Sequence, residues 1–84
     1  MSKYDLLFNE LVAIPSGITE KTLTFGEIEK ILGFKLPDSA YNYRQWWANP
    51  SSAKDHPYAQ SWIAAGWTVE TVNQDEKWVR FKRS

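Results

Sequence analysis

The sequence predicts a small α+β domain with a winged helix-turn-helix-like arrangement: about four helices, one short strand and a C-terminal β-hairpin. Three observations predict it. Apolar residues recur at helical spacing in short stretches separated by Pro, Gly and Ser signals. The end of the chain switches to a period of two. A length of 84 residues leaves room for a single core. The domain is therefore expected to occupy 1–84, with an ordered core from about 3 to 82.

The first helix is expected over 3–13. Ser2 has Asp5 three residues on, a capping-box-like spacing, and Tyr4, Leu7, Phe8, Leu11 and Val12 share one face. Pro15-Ser16-Gly17 ends that pattern. Lys21 to Thr24 is β-prone and reads as one edge strand. Thr24-Phe25-Gly26-Glu27 then forms a capping box, with Leu23 and Ile28 at the staple positions. Phe25, Ile28, Ile31 and Leu32 give a helix over 25–32, closed by Gly33. After a tight connection through Pro37, Asp38 or Ser39 is expected to cap a third helix that stops before Asn49-Pro50. On it Tyr43 and Trp47 read as core, with Trp46 beside them. Residues 50–55 form a polar loop. A fourth helix follows at about 57–65, capped by Asp55 or His56, with Pro57 in its first turn and Gly66 after it. Trp67 to Val72 and Lys77 to Lys82 make the hairpin. Val79 and Phe81 lie on one face of it, with Trp78, Arg80 and Lys82 on the other.

A domain of this size buries only about 60% of its unfolded surface and needs dense packing. There are no cysteines, so disulfides and thiolate metal sites are excluded. Five tryptophans, four phenylalanines and four tyrosines are the available substitute; each buried aromatic removes roughly 150–250 Å² from water. The N-terminal segment does not read as a signal peptide, because Asp5 and Glu10 interrupt its apolar residues. No apolar run approaches the roughly 20 residues of a membrane span. A soluble cytoplasmic protein with no membrane partner is expected.

Catalytic chemistry finds little support. His56 is the single histidine and sits beside Pro57, where it reads as a helix-start residue. There is no Gly-rich phosphate loop and no HExxH. Glu27 and Glu29 point to different sides of a helix and do not form an acid–base pair. The expectation is a non-enzyme without cofactor or metal.

Helix, strand, helix, tight turn, helix and hairpin is the order of a winged helix-turn-helix, whose third helix enters the major groove of double-stranded DNA. The contact residues expected on that arrangement are Ser39, Tyr41, Asn42, Arg44 and Gln45 on the reader helix, Lys54 in the loop, and Arg80 and Lys82 on the wing. Asn42 and Gln45 suit adenine, and Arg44 suits guanine or phosphate. Ser39 would act near a helix N-terminus, whose N–H groups favour phosphate. Two features pull the other way. Net charge is zero, against the basic excess usual for phosphate binding. An additional helix also separates reader from wing. The alternative is a protein-interaction module or a phage-type inhibitor of a bacterial protein, presenting Tyr58, Trp78 and the 50–57 loop to a protein partner or forming a homodimer.

Taken together, Thr24–Glu29, Leu36–Ala40, Trp46–Asn49, Ala59–Trp62 and Ala65–Trp67 give the pattern TFxEIE, LPxSA, WWxN, AxxW and AGW. This pattern resembles a group of small, uncharacterised bacterial and phage domains, and the resemblance covers about residues 4–82. Such domains occur alone or beside other modules, including nuclease-like ones. The resemblance therefore implies a winged-helix-like fold and DNA recognition more than catalysis, and it implies no substrate.

Overall fold

Helix α1 (Asp5–Val12) starts where Ser2 and Asp5 hold one another. The Ser2 N–H donates to the Asp5 carboxylate at 3.3 Å, and Ser2 Oγ accepts from the Tyr4 N–H at 3.1 Å. Tyr4, Leu7 and Leu11 are buried, but Val12, expected on the same face, is exposed. It lies about 140° around the helix from Leu7, outside the stripe that meets the rest of the core. The structure is a computed structural model and describes residues 2–50 and 56–84.

Strand β1 (Glu20–Thr24) leads without a break into helix α2 (Phe25–Leu32). The capping box forms as the sequence requires. Thr24 Oγ1 accepts from the Glu27 N–H at 3.0 Å, and the Glu27 carboxylate accepts from the Thr24 N–H at 2.8 Å. Gly33 ends α2 at φ 83°, a left-handed position that a β-carbon would strain.

The expected third helix is two pieces: α3 (Asp38–Asn42) and a 3-10 turn at Arg44–Trp47, separated by Tyr43 in extended conformation. The cause is the Ala40 carbonyl. In a continuous helix it would accept from the Arg44 N–H. Here it accepts from Trp47 Nε1 at 2.8 Å and from Gln74 Nε2 at 2.9 Å. The break goes with burial of both Trp46 and Trp47 in the turn that follows. It turns Tyr43 outward to 65% exposure, so Tyr43 is not a core residue. Neither Asp38 nor Ser39 caps α3 through its side chain; Pro37 occupies that position.

Helix α4 (Pro57–Ile63) begins at the proline and ends sooner than 65, with Gly66 turning the chain at φ 88°. His56 precedes it without a side-chain capping bond; Asp55 lies outside the described residues. Strands β2 (Trp67–Asn73) and β3 (Trp78–Arg83) form the hairpin. In its turn Asn73 Oδ1 accepts from the Glu76 N–H, and Lys77 takes φ 61°. The sheet is antiparallel with order β1-β3-β2, and a register shift at Glu70 makes a bulge in β2.

Leu23, Trp67, Val72, Val79 and Phe81 point from the sheet into the core and are buried with the inner sides of the helices. The aromatics stack through it. Phe25 lies 5.1 Å from Trp47, Trp47 lies 5.7 Å from Trp62, and Trp46 lies 4.3 Å from Tyr58, all with nearly parallel rings. Arg83 fastens the end of β3 to the segment after α1. Its guanidinium donates to the carbonyls of Ile14, Pro15 and Ile18 and covers the Trp67 ring at 4.3 Å.

Candidate nucleic-acid interface

The outer face of the sheet follows from strand parity. With Val79 and Phe81 inward, Trp78, Arg80 and Lys82 point outward along the central strand. The register sets Thr24, Thr22 and Glu20 beside them on β1, and Asn73, Thr71 and Thr68 beside them on β2. Arg80 is held in place on this face. Its Nε donates to Thr22 Oγ1 at 3.3 Å, its guanidinium lies over the Trp78 ring at 5.2 Å, and Glu70 Oε1 is 3.9 Å from Nη1. Lys82 is exposed next to it.

The 3-10 turn approaches this face from the β2 side. Arg44 and Gln45 border one shallow depression with Glu70 and Thr71. Arg44 also borders the neighbouring depression, with Thr71, Asn73, Asp75 and Trp78. The structure thus brings Arg44, Gln45 and Arg80 onto one continuous surface around β2, although Arg44 and Arg80 are far apart in sequence. Asn42 is exposed at the end of α3.

Two expected contact residues are placed differently. Ser39 is partly buried, and its carbonyl accepts from the Tyr43 N–H. Tyr41 packs edge-on against Phe25 at 5.1 Å, and its hydroxyl donates to the Glu29 carboxylate at 2.7 Å. The same carboxylate oxygen accepts from the Leu36 N–H at 2.8 Å. Burial, then the hydrogen bond and the charge of Glu29, push the Tyr41 phenol up to about 12. Lys54 lies outside the described residues.

Tyr43 and the outer-face threonines were not anticipated as surface features. The alternation of β3 already grouped Trp78 with Arg80 and Lys82. The Thr22–Arg80 contact depends on β1 pairing with β3, which no local signal reveals.

The motif residues are occupied elsewhere. Trp46, Trp47, Trp62 and Trp67 are buried. Trp67 Nε1 donates to the Leu11 carbonyl at 3.2 Å. The Asn49 side chain imitates a strand neighbour of β2. Its oxygen accepts from the Val69 N–H at 2.8 Å, and its nitrogen donates to the Val69 carbonyl at 3.0 Å. The same oxygen accepts from Trp62 Nε1 at 3.2 Å. Leu36, Ala40 and Ala59 are likewise core. The pattern therefore describes how this domain folds, and the exposed surface is a separate matter.

The family model described as domain of unknown function (DUF7662) matches residues 5–84. The chain belongs to the DUF7662 family. The match to DUF7662 spans every helix and strand described above. Searches of the curated proteins and of the solved structures give no match to the chain. No helix among the described residues of this DUF7662 domain is long and apolar enough to cross a membrane.

Proposed function

We propose that this domain binds DNA through a winged-helix-like surface built from the end of α3, the 3-10 turn and the outer face of the hairpin. The observation that carries the reading is the convergence of Arg44 and Trp78 on one depression, with Arg80 stacked on the same Trp78. Residues from the helical and hairpin parts of the chain thereby make one contact surface. Helix α3 is only about 7.5 Å long, so recognition falls to side chains at its end. Asn42 and Gln45 are suited to adenine edges and Arg44 to guanine or phosphate. Arg80 and Lys82 are suited to phosphate. The chemistry proposed is binding, with no catalytic step.

The reading gives a measurable salt dependence. Three phosphate contacts, from Arg44, Arg80 and Lys82, set a slope of about −2.7 in log affinity against log salt, or about a 40-fold loss between 50 and 200 mM. Glu70 and Asp75 beside these cations reduce it. Fluorescence anisotropy with a mixed-sequence duplex at both salt concentrations tests it. Salt-sensitive binding that weakens in Arg44→Ala and Arg80→Ala supports the reading, and no binding even at low salt refutes it.

A second reading, a protein-interaction surface, is favoured by charge balance. Net charge is zero, and Arg80 has Glu70 beside it. A neutral face centred on a tryptophan and an arginine suits a protein partner. Binding to a protein with little salt dependence would identify that reading.

A further inference from the structure

The two edges of the sheet are treated differently. On the β2 edge, Asn49 bonds both the N–H and the carbonyl of Val69, and Glu70 bulges out of register. Such devices keep another strand from adding to an edge. On the β1 edge, among the described residues, one backbone group is covered in this way, the Thr24 N–H by the Glu27 carboxylate, and the stretch before it is left open.

Ladder parity identifies what β1 presents. The Thr19 carbonyl accepts from the Arg83 N–H, and the Phe25 N–H donates to the Lys77 carbonyl. With the β1–β3 register, this turns the backbone groups of Lys21 and Leu23 toward β3 and those of Glu20 and Thr22 away from it. The Thr24 N–H, next in that outward series, is already held by the Glu27 carboxylate. Glu20 and Thr22 are both exposed. The edge therefore offers two N–H and two carbonyl groups, alternating and uncovered.

Beside this edge runs a groove between α1, α2 and β1, floored by Leu11, Ile14, Leu23 and Ile31. Glu10, Glu27, Lys21 and Lys30 rim it. Two acids and two bases leave the rim without net charge, so the same patch can meet itself across a two-fold axis with each base near an acid. Zero net charge also removes long-range repulsion between copies.

We propose that the β1 edge is a homodimer interface, where two copies of this chain pair antiparallel through Glu20 and Thr22. Glu20 of one copy faces Thr22 of the other, so four hydrogen bonds satisfy every outward group. The two three-stranded sheets become one of six strands. The two Lys21 side chains meet at the axis with a Glu27 carboxylate beside each, a neutral cluster of four charges. The outer faces of both copies then lie on the same side. This inference is independent of the DNA reading, because it uses the opposite edge from Arg44.

Sedimentation equilibrium from micromolar to millimolar protein tests it, alongside Thr22→Pro. Proline is tolerated on an edge strand whose N–H faces solvent, so this variant removes one outward donor, and with it the hydroxyl that Arg80 meets, while leaving the backbone ladder to β3 in place. The expected result is a wild-type mass that doubles with concentration and a Thr22→Pro mass that does not. In the same samples, amide exchange at Glu20 and Thr22 should slow several-fold as wild-type concentration rises. That measurement decides the matter if Thr22→Pro fails to fold. A wild-type monomer throughout the range, unchanged exchange at both amides, or a folded Thr22→Pro that still dimerises overturns the proposal.

Discussion

Replacing Asn49 with alanine tests how the residue just after the 3-10 turn ties β2 to Trp62. The side chain makes three hydrogen bonds, two to Val69 and one to Trp62. Asn49 is exposed, so water can take its place at Val69, and those two bonds are worth little net. Trp62 is fully buried. Its indole N–H loses its acceptor, and an orphaned buried donor costs about 1–3 kcal/mol. A loss of about 2 kcal/mol is expected, which lowers the Tm of a domain this size by about 8–16 °C. Urea unfolding followed by tryptophan fluorescence measures it. Asn49→Asp keeps the acceptor for Trp62 and Val69 and loses only the exposed donor to the Val69 carbonyl, so it should cost clearly less than Asn49→Ala. In a Trp62→Phe background the donor is gone, and Asn49→Ala should cost markedly less than in the wild type. A loss within about 0.5 kcal/mol, the range of ordinary surface substitutions, would refute the reasoning. So would equal losses in the two backgrounds.

Other outcomes are expected. Trp47→Ala removes a ring stacked between Phe25 and Trp62 and should cost about 3–5 kcal/mol, measured by the same unfolding; a variant of wild-type stability would remove Trp47 from the core. The Tyr41 phenol is raised above its ordinary value by burial and by Glu29. The unfolded chain therefore loses that proton first, and the stability it contributes declines from pH 10 upward and is gone above about 12. Tyr41→Phe should flatten that decline in alkaline unfolding curves. Lys77 holds φ 61° in the hairpin turn, so Lys77→Gly should raise stability by about 0.5–1 kcal/mol, read as a higher urea midpoint. Arg44→Ala should leave the urea midpoint unchanged and weaken duplex binding in anisotropy.

The parts legible in the sequence were those governed by neighbours. Thr24 and Glu27 are three residues apart, and Gly33 closes the helix they open. The alternation from Val79 to Phe81 needs no knowledge of the rest of the chain. The break at Tyr43 was not legible, because it depends on Gln74 and Trp47 competing for the Ala40 carbonyl. Tyr41 shared this problem: its helix face looked free until Glu29, twelve residues earlier, took its hydroxyl. The candidate surface was legible in its cations, Arg44, Arg80 and Lys82, and not in its assembly. Only the pairing of β1 with β3 and the approach of the 3-10 turn to β2 bring those cations near Trp78.

The position of β3 in the sheet also has a consequence for how the domain is made. This central strand comes after every other element in chain order, and both β1 and β2 pair with it. Until it leaves the ribosome, β1 has no neighbour and the inward residues of the sheet have no layer to complete. Arg83 adds contacts reaching back 65 to 69 residues. Contacts of such sequence separation slow folding, because the intervening loop must close before they form. During synthesis the sheet is therefore completed last, when β3 supplies the ladder that both β1 and β2 pair with and Phe81 reaches the Trp62 ring.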